Sequence, residues 1–476
     1  MVFSSPVFLY VFLPIVVLFY AVTHPRGRNA LLLAASLTFY YWGSGRLLWL
    51  LLASITVNYS CGLLIGGARQ DRSRRLFLTF GVAANLGLLF YFKYLGFLLD
   101  ELDVLACSAG WGRITRPHII LPIGISFFTF QALSYLIDLA AGKTAVQRNP
   151  IDFALYIALF PQLIAGPIVR YVHIAGQIRA RAWSNDNVYE GLARFVRGLA
   201  KKVLLADTLS PLADALLAVP APEITFAGSW LGAICFTLQI YYDFAGYSDM
   251  AIGLGRIFGF RLRENFNFPY IARSVTEFWR RWHISLSTWF RDYVYIPIGG
   301  NRRGIARTYF NLLVVFVLCG LWHGANWNFL FWGLYHGLFL VFERIFLRTR
   351  RHRTPRVAMH LYTLLVVCVG WVFFRVQDIG LALRIAASMF RPAPNLPAPE
   401  ILAMLNPETA LYLFAGILCA TPLPGRLAHA WAGSAGGRRH AVLRESLGAL
   451  GLIALLLYAA TIHATSDYAP FIYFQF

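Results

Sequence analysis

Two histidines and a group of arginines stand out in a chain otherwise rich in apolar residues. His283 lies in the run Phe278-Trp-Arg-Arg-Trp-His-Ile-Ser-Leu-Ser-Thr-Trp-Phe-Arg-Asp-Tyr293. His323 lies in Leu321-Trp-His-Gly324, at the end of a long apolar stretch. Imidazole titrates near neutrality, so it can take a proton and return it. The arginines beside it carry fixed positive charge and a planar fork of donors, which suits an anionic ligand.

Read as one helix, 278–293 places Trp279, Trp282, Leu286, Trp289 and Tyr293 on a continuous aromatic and apolar stripe. Arg280, His283, Ser287 and Arg291 fall together on a different face. Two readings are compatible with that pattern. One is an interfacial helix with tryptophan anchors and snorkelling arginines. The other is the floor of a cavity. A turn follows at Pro297 and Gly299-Gly300, then a basic loop with Arg302, Arg303 and Arg307. A span from about 308 to 321 is expected to lift His323 roughly 20 Å above that loop, at 1.5 Å per residue. An ionisable side chain at such depth is functional by default, or is a neutral histidine bonded to a carbonyl. Gly320 and Gly324 leave room for close approach by a ligand or by another helix.

These residues need a scaffold, and composition defines its kind. Of 476 residues, 58% are hydrophobic and 13% charged, whereas soluble domains carry about 25% charged residues. Many runs reach the roughly 20 residues that cross a bilayer as helix, and the strand alternation of a β-barrel is absent. The fold class expected is all-α: a polytopic transmembrane helical bundle of roughly eleven or twelve spans. Lys and Arg outnumber Asp and Glu by 42 to 22, a formal charge of +20. That charge sits in short loops between apolar runs, the pattern of cytoplasmic loops, and not on one basic face, so nucleic-acid binding is excluded. The six cysteines are scattered, with neither a disulfide framework nor a metal cluster in their spacing.

Charge alternation along the loops places both termini outside. The start, Met-Val-Phe-Ser-Ser-Pro, lacks a basic n-region and a cleavage site, so the first span, 6–22, is expected to be retained. Residues 29–41 and 46–66 pair about Gly43-Ser-Gly45, and 151–168, interrupted by Pro161, Gly166 and Pro167, suits a broken or re-entrant helix. Residues 170–202 read as basic interfacial helices. Asp243 and Asp249, inside the span 225–252, either bond to a nearby arginine or line a cavity. One membrane domain over 1–476 is expected. Its core covers about 1–440, and a last span and tail occupy about 445–476.

Phe278–Gly300 together with Leu321–Gly324 resembles the signature of the membrane-bound O-acyltransferases, and the similarity extends over nearly the whole chain. Within that family it is most similar to the branch of alginate O-acetyltransferase membrane subunits. Teichoic-acid D-alanyl transfer proteins resemble it more distantly. The resemblance implies a bundle with re-entrant and interfacial helices around a through-membrane funnel, open on each side and narrowing at one histidine. That histidine maps onto His323, and a second family histidine maps onto His283. It implies no permanently bound cofactor. The acyl donor would be cytoplasmic acetyl-CoA, with His323 as general base and His283 binding the donor or steadying the oxyanion. Arg280, Arg281, Arg291, Arg302, Arg303 and Arg307 would hold the CoA phosphates. The implied site of action is the bacterial inner membrane. The partners are an exported polysaccharide acceptor and a periplasmic SGNH-type acetyltransferase that completes the reaction. Alginate, peptidoglycan, cellulose and teichoic acid all remain open as acceptors.

Near the C-terminal end, Tyr473 in Phe-Ile-Tyr-Phe is either an interfacial aromatic anchor or a relay nucleophile. The motif resembles one on small partner proteins of the D-alanyl system, whose tyrosine is proposed to carry the acyl group. A transporter and a non-catalytic scaffold of an exopolysaccharide system stand as the competing classes.

Overall fold

A computed structural model describes residues 3–115, 117–347, 354–434 and 438–465. Tyr473 therefore lies outside the described residues. Among the described residues every regular element is helical and none is a strand, which agrees with the all-α expectation. Five helical stretches among the described residues are long and apolar enough to cross a membrane: Pro25–Gly67, Asp71–Ser108, Ile305–His323, Trp327–Leu347 and Arg356–Arg375. Helices suit that setting because each satisfies its own backbone hydrogen bonds where water is absent. The chain forms two compact units, Met1–Phe195 with Met250–Arg263, and Val196–Asp249 with Glu264–Phe476.

In the first unit, α1 (Phe8–Val22), α2 (Arg28–Ser44) and α3 (Leu48–Gly67) follow the expected spans. The α2–α3 turn needs Gly45, whose φ of 52° lies in the left-handed region. Next come α4 (Asp71–Leu89), α5 (Leu95–Ser108), α6 (Ile125–Ala140), α7 (Pro150–Ala158), α8 (Tyr171–Arg179) and most of α9 (Asn185–Ala200). The broken segment expected at 151–168 is present and buried. Helix α7 stops where Leu159 turns extended, with ψ 112°, and 155–169 is buried throughout. Such a break survives only if its freed polar groups find partners. The Phe160 N–H donates to Ser36 Oγ at 3.1 Å, and the Gln162 amide donates to the Tyr156 carbonyl at 2.6 Å.

The second unit holds α10 (Asp207–Leu217), most of α11 (Phe226–Ile257), α12 (Val275–Arg281), α13 (Ile284–Phe290) and α14 (Ile305–His323). Helices α15 (Trp327–Phe342), α16 (Arg356–Arg375), α17 (Ile379–Ser388) and α18 (Pro407–Cys419) follow. Asp243 and Asp249 on α11 each bond to a lysine. Lys202 Nζ lies 2.6 Å from Asp243 and 2.6 Å from Asp207, and Lys201 Nζ lies 2.6 Å from Asp249. The lysines come this close because Gly246 lies between the two aspartates. A Cβ there would stand 2.7 Å from the Gly198 carbonyl and 3.1 Å from the Lys202 nitrogen.

Candidate active site

Helix α14 begins at Ile305, three residues before the expected start, and ends on His323. Its rise from first to last residue is about 27 Å, and the histidine is the last residue of the helix. The room left by Gly320 is taken by a helix. A Cβ at Gly320 would stand 2.2 Å from the Phe329 carbonyl and 3.3 Å from the Gly333 Cα on α15. A Cβ on Gly324 would meet the Phe329 ring at 2.3 Å. The two helices thus close tightly below and beyond His323, and the imidazole is left 3% exposed.

Three aromatic rings box it in. Trp322, Trp332 and Phe374 meet the imidazole edge to face, with centroids at 5.0, 5.2 and 5.2 Å. The Trp322 ring also touches His283, at 5.8 Å. The two histidines singled out from sequence are therefore bridged by one indole, which places them in one site.

The expected continuous helix over 278–293 is not formed. The chain leaves the helical region at Trp282, with ψ 131°, and His283 adopts the left-handed conformation, with φ 43° and ψ 55°. The break arises because residues 265–267 take the backbone groups a continuing helix would need. The Asn267 N–H donates to the Arg281 carbonyl at 3.0 Å, and the Ile284 N–H donates to the Asn265 carbonyl at 2.9 Å. The Asn265 side chain then caps α13, accepting from the Ser285 N–H at 3.1 Å and its hydroxyl at 2.9 Å.

The consequence is a change of face. His283 is fully buried, against Phe244 at 4.6 Å, while Arg280 and Arg291 are exposed. The shared face of His283 with the two arginines is thereby corrected. His283 lies outside the membrane-spanning helices, and burial pushes its imidazole below the ordinary histidine range, to about 3. A left-handed conformation at a non-glycine residue costs about 1–2 kcal/mol, and such strain collects where surrounding contacts over-determine a functional geometry.

The exposed arginines open onto a cavity of 1160 Å³. Arg280, Arg281 and Arg291 line it, as do Arg273, Arg344 and Arg426, which the sequence reading passed over. Arg281 is bonded to Glu277 at 3.0 Å and Arg291 to Asp292 at 2.6 Å, whereas Arg280 forms no ion pair among the described residues. The lower wall is apolar, built from Trp279, Val315, Phe316, Cys319 and Leu340. Cys319 precedes His323 by one helical turn on α14, about 6 Å. The apolar wall of the cavity thus includes Cys319, one helical turn before the boxed histidine.

Arg302, Arg303 and Arg307 are exposed and do not line this cavity. Arg303 packs its side chain toward Gly299, and the Arg307 guanidinium stands 5.1 Å over Phe310. Glu343, though on the lining, serves the fold. Its carboxylate accepts from the N–H groups of Val275 and Thr276, capping α12.

Two further buried groups escaped the sequence reading. Asn265 sits in Glu264-Asn-Phe-Asn-Phe-Pro269, a polar interruption that could have drawn notice. His336, fully buried on α15, meets Trp332 at 5.1 Å and Trp279 at 5.2 Å. Its spacing of four from Trp332 was the available signal.

A helical membrane bundle thus carries a boxed histidine and an arginine-lined cavity. The model of the membrane-bound O-acyltransferase family matches residues 38–383, and the chain belongs to that family and is an acyltransferase. It is 42% identical over 503 aligned residues to the probable alginate O-acetylase AlgI of Azotobacter vinelandii, covering 100% of both chains. To the probable alginate O-acetylase AlgI of Pseudomonas aeruginosa it is 48% identical over 392 residues, covering 82% of this chain and 75% of that one. It is 37% identical to the peptidoglycan O-acetyltransferase of Helicobacter pylori, with 82% and 80% covered.

Proposed function

We propose that the chain transfers acetyl groups from cytoplasmic acetyl-CoA across the bacterial inner membrane for O-acetylation of an exported polysaccharide, alginate first among them. The full-length similarity to alginate O-acetylases carries the choice of acyl group and acceptor class. The cavity supports the donor. Its arginines suit the CoA phosphates, with Arg280 outside the ion pairs that hold Arg281 and Arg291, and its apolar wall suits the pantetheine arm leading toward His323. Arg302, Arg303 and Arg307 would act at most as an outer basic field around that cavity.

In this reading His323 takes the proton of an attacking hydroxyl. The hydroxyl oxygen bonds to the acetyl carbon, the thioester C–S bond breaks, and CoA leaves as the thiol, taking the proton that His323 had accepted. His323 occupies the last residue of α14, and the carbonyl end of a helix favours the positive charge that the imidazole gains. His283 faces the same reaction through the Trp322 bridge. The acetyl group would pass to a periplasmic SGNH-type transferase, with both termini of this chain on the periplasmic side. Tyr473 is proposed as the relay that carries it. No resident cofactor is needed for these steps.

The acetyl content of purified envelope polymers tests the reading, compared between cells with and without this chain. Loss of acetyl from alginate alone is expected. Unchanged acetylation of every polymer would contradict it, and loss from peptidoglycan instead would reassign the acceptor.

A further inference from the structure

The hydrogen bonds around Asn265 decide which nitrogen of His283 carries its proton. Asn265 is 1% exposed and His283 is fully buried, so water does not compete for these groups. Three donors converge on the Asn265 side-chain carbonyl. They are the Ser285 N–H at 3.1 Å, the Ser285 hydroxyl at 2.9 Å and His283 Nδ1 at 3.2 Å. On the other side the Asn265 amide donates to Ser248 Oγ at 3.2 Å.

An amide can be turned by half a rotation, exchanging oxygen and nitrogen, and the network must choose. A backbone N–H is a donor only. With the amide turned, the Ser285 N–H would face an NH₂ group, donor against donor. The oxygen therefore faces Ser285, and also His283. A carbonyl oxygen only accepts, so Nδ1 must be the protonated nitrogen. In the neutral ring Nε2 then holds a bare lone pair. The backbone reinforces this. The Ile284 N–H bonds to the Asn265 carbonyl and His283 is held left-handed, so ring and amide are fixed to the same short segment.

We propose that Asn265 is the positioning residue that sets the tautomer of His283, with the proton on Nδ1 and Nε2 presented as an acceptor. The consequence for the reaction rests on the transferase reading above. A neutral His283 of this tautomer accepts from an O–H or N–H of a reactant and does not donate to an oxyanion. Of the two roles open to His283, holding a donor-bearing reactant is the one this tautomer permits.

The test is the nitrogen spectrum of the full chain, ¹⁵N- and ¹³C-labelled in histidine and reconstituted in lipid vesicles. The difference from His283→Gln assigns the ring. At neutral pH the nitrogen bonded to Cγ is expected to carry the proton, and the other is expected to be bare. A proton on Nε2, on that nitrogen alone or on both, would overturn the proposal. Asn265→Asp keeps an acceptor facing Nδ1, and the Ser248 hydroxyl can turn to donate to it, so the tautomer should persist. Asn265→Leu removes the acceptor, so the proton should move toward Nε2. Retention on Nδ1 in that variant would show that another group sets it. If the leucine variant does not fold, the wild-type and aspartate spectra still decide. Acetyl transfer by Asn265→Leu should fall by roughly 2–10-fold, the loss of one hydrogen bond to a reactant. The spectrum reads the tautomer without any transfer taking place, so a failure of the acetyltransferase reading would leave its result standing.

Discussion

At the scale of single residues, the site turns on how polar side chains are carried into an aromatic interior. The buried position of His323 was legible in the sequence because the residue ends an apolar run. His283 was legible as a residue but not in its setting. Helical spacing put it beside Arg280 and Arg291, yet a left-handed turn buries it against Phe244 and leaves the arginines at the cavity. The cause is Asn265, eighteen positions earlier, and no periodicity links residues across that distance. Arg280 and Arg302 looked equivalent on charge alone. Arg280 lines the cavity and Arg302 does not, so their alanine variants should separate. A lost hydrogen bond to a charged group is worth about 1.5–3 kcal/mol, so Arg280→Ala should raise the acetyl-CoA concentration for half-maximal rate by roughly 10-fold or more. Arg302→Ala should change it less than threefold. Equal effects in a donor titration would remove Arg280 from the donor site.

At the scale of elements, the long helices were readable, and their interruptions were readable only where proline and glycine mark them. The α14–α15 pair forms because Gly320 and Gly333 allow backbone contact, a reason visible in the sequence only as two small residues. The α12–α13 break depends on hydrogen bonds from 265–267, which act at long range and carry no local pattern. The broken segment at 151–168 was foreseen because its prolines and glycine announce it. The ion pairs on α11 show a further limit. The acids Asp243 and Asp249 were plain, but their lysine partners lie on a different segment, brought close by Gly246. Lys202 and Asp243 side chains are only 3% and 4% exposed. Removing one partner of a buried pair costs about 3–5 kcal/mol. Lys202→Ala should therefore lower the thermal midpoint of the detergent-solubilised protein markedly. Lys201→Ala, whose side chain is 33% exposed, should shift it less, because the cost of breaking an ion pair falls as water reaches it. Equal shifts in a melting scan would contradict the buried role of Lys202.

At the scale of the whole molecule, the composition already defined a helical membrane protein, and the motif pair already pointed to the acyltransferase family. Both histidines and the whole lining of the basic cavity lie within the unit formed by Val196–Asp249 and Glu264–Phe476. The relay proposed for Tyr473 joins that unit's chemistry to the far side of the membrane. After incubation with labelled acetyl-CoA, mass spectrometry should find acetyl on Tyr473, and labelling of the chain should fall in Tyr473→Phe. Undiminished labelling in that variant would dismiss the relay. The central claim is that the chain itself moves acetyl through His323. The direct measurement is transfer of label from acetyl-CoA by the purified protein in vesicles supplied with polysaccharide, comparing wild type with a folded His323→Ala. A drop of about 10²–10⁴-fold is expected, the usual contribution of a general base. Transfer at the wild-type rate by His323→Ala would contradict it.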